Sequence, residues 1–339
     1  MMTSKLLYDS LLGHFPKSSL RMACAYGSGV FRQSGNADMK KNMIDLIFVV
    51  DDSLQWHQEN IKQNPRHYSF LKYGGANAID WVQNNFKSYV YFNTLVKCED
   101  RTIKYGVISD FALKLDLKDW ECLYTSGRLQ KPVMMLHSDT DNSFELALRM
   151  NLENAVHTAM LLLPDEFSEE ELYETLTSLS YTGDLRMTYG EDKNKIKSIV
   201  KPNMERFREL YRPMLEKEEH ITWLESQGKI QQSLCVASRI HHLNLLPKNL
   251  TEVLVEHYNA DQRNRDTEEI FRALAHDCQC RNLVRDSVSK IVKSSSTIQS
   301  VKGFFTAGFR KSLKYSLNKI ANMKRSEALA QQKLPEKKS

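Results

Sequence analysis

The chain lacks several things, and each lack excludes a class. None of its 339 residues fall in an apolar run approaching the roughly eighteen that a membrane-spanning helix needs, and it does not start with the basic-then-apolar layout of a signal peptide. It is therefore expected to be neither integral nor secreted. Residues 1–25 allow a short amphipathic helix but hold a single Arg and a single Asp, so no mitochondrial transit peptide is evident. The six cysteines, Cys24, Cys98, Cys122, Cys235, Cys278 and Cys280, have no repeated spacing, which predicts reduced thiols. Only His276, Cys278 and Cys280 cluster, and no second Cys or His pair follows at finger-like spacing, so zinc is not expected there. Three familiar motifs are also missing. Arg32 stands where a Rossmann G-x-G-x-x-G needs glycine, no Gly-Lys-Ser/Thr of a Walker loop occurs, and Tyr26 and Val30 spoil a G-x-S-x-G elbow.

What is present centres on residues 21–52, RMACAYGSGVFRQSGNADMKKNMIDLIFVVDD, which read as strand, glycine turn, loop, strand. The run Met22 to Tyr26 stops at Gly27-Ser28-Gly29, where two residues without a Cβ let backbone N–H groups approach a ligand, as a phosphate cradle requires. The run Met43 to Val50 is apolar apart from Asp45. A carboxylate in a buried strand needs a cation, a hydrogen-bonding cage or a metal ion. If the turn holds a triphosphate, Mg²⁺ on Asp45 would offset both charges. A Gly-Ser turn followed on the next strand by an Asp is the nucleotidyltransferase pattern; a tight turn beside one satisfied Asp is the plainer alternative.

Downstream, Ser53 is a candidate cap for a short helix with Trp56 and His57, and His57 and His67 read as structural. Ala76 to Phe86 has helical spacing, and Ser88 to Val96 and Ile103 to Ile108 read as strands, so the first 120 or so residues predict an α/β sheet. Arg128 and Lys131 lie on a constrained turn and could face phosphates. From Asn142 the texture becomes helical: Phe144 to Leu163, then Ser168 to Leu179 with Ser168 and Glu171 set as a capping box. With SYTGDLRM, Ser180 to Met187, as its wing, this region suits a winged helix. The charge argues against nucleic acid: residues 301–339 hold ten cations and two acids, and the overall net charge of +5 leaves −3 for residues 1–300. In the tail, Val301, Phe305, Phe309, Leu313, Leu317 and Ile320 recur at helical spacing among Lys302, Arg310, Lys311, Lys314 and Lys319. That pattern predicts a basic amphipathic helix over 301–325 that inserts Phe305, Phe309 and Leu313 while Lys311 and Lys314 meet an anionic membrane surface.

The strings YGSGVFRQSG, WHQENIKQNPRHYSFLK, IKYGVIS, LYTSGRLQKPV, LSYTGDLRM, KSIVKPN and KGFFTAG, in order from Tyr26 to Gly308, resemble the mitochondrial CDP-diacylglycerol synthase (translocator assembly and maintenance) family. The resemblance implies a nucleotidyltransferase-like α/β domain over 1–138, a mostly helical winged-helix-like domain over 139–245, a helical extension over 246–300, the membrane-associating helix over 301–325 and a polar tail over 326–339. It implies a peripheral enzyme of the matrix side of the mitochondrial inner membrane, making CDP-diacylglycerol and pyrophosphate from CTP and phosphatidic acid with Mg²⁺, upstream of cardiolipin. Gly27, Ser28 and Gly29 would cradle the triphosphate, with Asp45 and Ser28 at the reacting centre. Arg128, Lys131, Arg186 and Lys193 would contact phosphates. Asp45 would bind the metal, and because the position of the usual second carboxylate is Ile47, Asp51, Asp52 or Asp184 would have to complete the site. A non-catalytic membrane tether on the same scaffold is the alternative that Ile47 leaves open.

Overall fold

The computed structural model describes residues 2–33, 42–189, 194–224 and 228–307. A short helix, α1 (Met2–Gly13), precedes β1 (Leu20–Tyr26), and β2 (Ile44–Val50) returns antiparallel to it. After α2 (Ser53–Gln63) and α3 (Gly75–Asn84) come β3 (Val90–Cys98), β4 (Arg101–Ser109), α4 (Asp110–Asp119), α5 (Ser126–Leu129) and β5 (Met134–Ser138). The five strands form one mixed sheet in the order β3-β4-β2-β1-β5, with only β2 and β4 running parallel. The expected α/β sheet is therefore present, and its two most apolar strands are central.

Both faces of the sheet are covered. Ile44, Leu46, Phe48 and Val50 of β2 pack with Phe15, Trp56 and Tyr105, whereas Ile47 and Val49 pack with Met22, Leu113 and Phe144 on the other face. This is the two-residue alternation of a strand. On the first face, His57 bonds through Nδ1 to the Tyr68 hydroxyl (2.8 Å) and through Nε2 to Gln83 Oε1 (3.0 Å), and Asn60 donates to the hydroxyls of Tyr68 and Tyr105. Burial pushes the His57 imidazole down to about 4, so it is neutral and structural, as expected. The cap of α2 is Asp52 rather than Ser53. The Asp52 carboxylate accepts from the Gln55 amide at 3.0 Å, while Ser53 Oγ turns to Asp80.

The second unit starts with α6 (Asn142–Leu162), whose first turns (Phe144, Ala147) belong to the sheet's core and whose later turns (Leu152 to Leu161) belong to a separate helical core. Then follow β6 (Glu166–Ser168), α7 (Glu169–Ser178), α8 (Leu185–Tyr189), α9 (Lys195–Val200), α10 (Met204–Leu215), β7 (Ile221–Leu224) and β8 (Lys229–Gln232). The capping box of Ser168 and Glu171 is formed. The three strands make a small antiparallel sheet in the order β6-β8-β7. Thus SYTGDLRM is not a wing: it is a turn into α8, and the paired strands lie further on, at 221–232.

The unit is completed by α11 (Val236–Asn244), α12 (Lys248–Tyr258), α13 (Thr267–His276) and α14 (Cys280–Ala307). The helix expected to begin at 301 is, in its described part, the end of α14. Val284, Val288, Ile291 and Val292 of α14 fill the helical core, and its last turns dock on the first unit. There Ser88 Oγ donates to Gln299 Oε1 (2.5 Å), Lys302 Nζ to the Gln83 carbonyl (3.2 Å) and Ser69 Oγ to the Phe305 carbonyl (3.0 Å). Lys302 is buried, with its amine pushed down to about 8, so it is not one of the outward cations of a lipid-facing helix. Phe309, Lys311, Leu313, Lys314 and the rest of that predicted helix lie outside the described residues.

Candidate active site

The strand registers assemble the site. Tyr26 of β1 pairs with Asp45 of β2, and Asp45 pairs with Lys104 of β4, so the three side chains form one row across the sheet. The alternation described above points Asp45 to the face of Ile47 and Val49, toward the second unit. Gly27 follows Tyr26 directly, with φ +79°. Its carbonyl accepts from the amides of Val30 (3.1 Å) and Phe31 (2.9 Å), and the Ser28 carbonyl accepts from Asn42 Nδ2 (3.0 Å). A Cβ on Gly27 would stand 3.0 Å from Asp45 Oδ2, and one on Gly29 only 2.4 Å from the Met43 carbonyl oxygen. Both glycines are thus required for close backbone approach, and the turn lies against the carboxylate.

The opposite wall comes from the loop after α4. The buried Asp116 carboxylate accepts from the amides of Cys122 (2.9 Å), Leu123 (2.8 Å) and Ser126 (2.9 Å), which fixes the loop into α5. Arg128, carried by α5, lays its guanidinium 4.0 Å above the Tyr124 ring and 5.9 Å from that of Tyr26, and donates to the Tyr124 carbonyl. Lys131 donates to the Gly127 carbonyl and, across the junction of the two units, to Ser180 Oγ (2.8 Å). Arg186 lies 5.8 Å from the Tyr124 ring and is held by Asp184, its Nε at 3.0 Å from each carboxylate oxygen.

The electrostatics follow from this crowding of cations. Burial alone would raise the Tyr124 hydroxyl, but Arg128, Arg186 and Lys104 outweigh it and hold the group down to about 8. Burial and the Arg128 charge push the Lys131 amine down to about 7. For Asp184, burial opposes ionisation, yet its hydrogen bonds and charge pairing with Arg186 keep it below the ordinary carboxylate range. Four cations face two carboxylates here, which suits a polyanion.

The structure therefore gathers Gly27, Ser28, Gly29, Asp45, Arg128, Lys131, Asp184 and Arg186 in one cleft. It does not gather Asp51 and Asp52. Asp51 accepts from Arg21 Nε at 2.7 Å and Asp52 caps α2, both beyond the far end of β2, about 20 Å along the strand from Asp45. Neither can share a metal with Asp45. Lys193 lies outside the described residues. Ile47 is fully buried in the apolar layer with Val49 and Leu113, where a second carboxylate would be desolvated. Sequence reasoning missed Lys104, Tyr124 and Asp116. Lys104 could have been found only from the parallel β2–β4 register, which joins strands more than fifty residues apart.

Lys131 gives a pH dependence that can be measured. An anionic ligand favours the charged amine, whose pKa in the unliganded protein is about 7. Ligand affinity should therefore be highest below that value and fall as pH rises through it, by up to about tenfold per unit. The Lys131→Arg protein stays charged, so the ratio of its CTP affinity to that of the parent should grow from pH 6 to pH 9 in calorimetric titrations; a constant ratio removes Lys131 from the binding site.

Comparison with known proteins agrees over nearly the whole chain. Residues 8–322 match the family described as "Phosphatidate cytidylyltransferase, mitochondrial". The chain is similar to proteins bearing that description from Bos taurus (44% identity over 95% of this chain and 96% of the relative), Danio rerio (43%, over 95% and 96%) and Caenorhabditis elegans (37%, over 94% and 99%).

Proposed function

The chain belongs to the mitochondrial phosphatidate cytidylyltransferase family, and from that premise we propose that it transfers the cytidylyl group of CTP to phosphatidic acid, giving CDP-diacylglycerol and pyrophosphate. One observation carries the reading at the level of residues: the Tyr26–Asp45–Lys104 row abuts the glycine turn and faces Arg128, Lys131 and Arg186. Cations in excess over carboxylates, beside a glycine turn, match a nucleoside triphosphate better than a neutral substrate. The sheet with this turn supports a nucleotidyltransferase-like first domain. The order α6, β6, α7, α10, β7, β8 supports a winged-helix-like second domain that packs over the cleft.

In the reaction an oxygen of the phosphatidic acid phosphate attacks the α-phosphorus of CTP, a new P–O bond forms, and the bond to the β-phosphate oxygen breaks to release pyrophosphate. The nucleophile is already anionic, so the site needs no general base, in keeping with the neutral, structural His57. The protein must align two anions and hold the leaving charge. The glycine turn sets the triphosphate against Asp45, Arg128 and Lys104 lie where charge accumulates, Lys131 flanks the cleft at the junction of the two units, and Arg186 closes it from the second. Mg²⁺ fits the donor set: it is commonly held by one or two carboxylates with substrate phosphates, and Asp45 Oδ2 is poised at the turn. When bound it would supply charge neutralisation and alignment. Of the remaining acids weighed for a second metal ligand, only Asp184 shares this cleft. Labelled CTP with phosphatidic acid vesicles tests the reading: label should pass to lipid with one pyrophosphate released per transfer, whereas CTP left intact would favour a non-catalytic tether.

On this reading the enzyme works as a peripheral protein at the matrix face of the mitochondrial inner membrane, upstream of cardiolipin. No helix among the described residues is long and apolar enough to cross a membrane. Docking is supported by exposed aromatics around the end of α14: Phe304 and Phe305, Phe70 beside Ser69, and Trp81 stacked edge-on with Phe86. Such a cluster is rare on a solvated surface and suits a headgroup plane. Replacing Phe305 and Phe309 together by Asp should release the protein from cardiolipin-containing liposomes and lower synthase activity several-fold, with CTP affinity unchanged. Co-sedimentation equal to the parent's would remove these residues from the membrane surface.

A further inference from the structure

Away from the cleft, in the helical unit, four side chains from three segments converge. His157 comes from α6, Glu218 from the turn after α10, and His241 and His242 from α11; one ligand atom of each lies within 4.8 Å of those of all the others. His157 Nδ1 is 3.1 Å from His242 Nδ1 and 3.7 Å from Glu218 Oε2, and His241 Nε2 is 3.4 Å from Glu218 Oε1. A tetrahedral zinc ion with bonds of about 2.0–2.1 Å spaces its ligand atoms about 3.3 Å apart, and the three separations bracket that edge. We propose that His157, Glu218, His241 and His242 form a structural zinc site that ties α6, the segment after α10 and α11 together.

Two observations favour an ion over an ordinary polar cluster. First, the Glu218 and His157 side chains are only 8% and 13% exposed and His242 is buried, so a carboxylate and two imidazoles have been withdrawn from water together, with His241 at their outer edge. Second, the hydrogen bonding is incomplete: His241 Nε2, the atom that faces Glu218, is buried with no hydrogen-bond partner among the described residues. Three imidazoles and one carboxylate fill a tetrahedral shell, which is the closed arrangement of a structural rather than a catalytic zinc. The site is distinct from the group His276, Cys278 and Cys280, where His276 Nδ1 is engaged with the Arg272 carbonyl and Cys278 is exposed.

The purified full chain tests this directly. After loading with Zn²⁺ and exhaustive dialysis, plasma mass spectrometry should count about one zinc per chain, and replacement by Co²⁺ should give the intense visible absorption of tetrahedral cobalt. Glu218→Gln and His241→Gln should each weaken zinc binding roughly 100-fold or more, beyond what loss of an outer-shell partner costs. Zinc should also raise the parent's Tm and not that of either variant. His241 is 38% exposed, so its variant keeps the test open if Glu218→Gln fails to fold. Asp45→Asn should retain its zinc, separating this site from the nucleotide cleft. A parent that retains no zinc and shows no cobalt bands, or variants that retain zinc as the parent does, would overturn the proposal.

Discussion

Replacing Asp45 by asparagine is expected to lower CDP-diacylglycerol formation by roughly 1,000-fold while leaving the fold intact. The amide keeps the size of the carboxylate, so the Tyr26–Asp45–Lys104 row and the turn against it retain their packing. What disappears is the anion beside Gly27, the one carboxylate of this row and the natural ligand for a phosphate-bound divalent cation. Relief of a partly desolvated charge should also leave Tm unchanged or slightly raised. Labelled-CTP turnover, with Tm measured alongside, checks both halves. Turnover near the parent's rate would sink the assignment of Asp45.

The second large effect is expected at Gly27. Its φ of +79° costs a residue with a side chain about 1–2 kcal/mol, and any Cβ would stand 3.0 Å from Asp45 Oδ2. Gly27→Val should therefore displace the turn or the carboxylate and weaken CTP binding by about 100-fold or more. Ser28→Ala makes the informative contrast. The contact seen at Ser28 is made by its carbonyl, which accepts from Asn42, and a methyl side chain leaves that intact. Its CTP affinity should stay within several-fold of the parent's. Equal affinities for parent and Gly27→Val in isothermal titration would mean that the triphosphate does not lie on this turn.

The hairpin was legible because its signals are local. Two short apolar runs, a Gly-Ser-Gly stop and one acid fix β1, the turn and β2 within about thirty residues, and the capping box at Ser168 is equally short-ranged. Fixing the second wall took long-range information. Arg128 and Lys131 could be singled out as cations on a turn, but nothing local says that Asp116 anchors that turn or that Tyr124 stacks under the guanidinium. Lys104 enters only through parallel pairing of β2 with β4, and the His157–Glu218–His241–His242 cluster only through the packing of α6 against α11. Asp51 and Asp52 misled for the converse reason: they are near Asp45 in sequence, and a strand carries them to its other end. Lys302 misled because a periodic pattern cannot say which neighbour a helix face meets. Its amine is satisfied by the Gln83 carbonyl rather than by lipid.

The most direct measurement of the central claim is a crystal structure of the protein with CTP and Mg²⁺. The triphosphate should lie on the backbone of Gly27, Ser28 and Gly29, with the metal between its oxygens and Asp45, and with Lys104, Arg128, Lys131 and Arg186 within reach of the phosphates. A nucleotide bound elsewhere, with Asp45 and the glycine turn unengaged, would contradict the account.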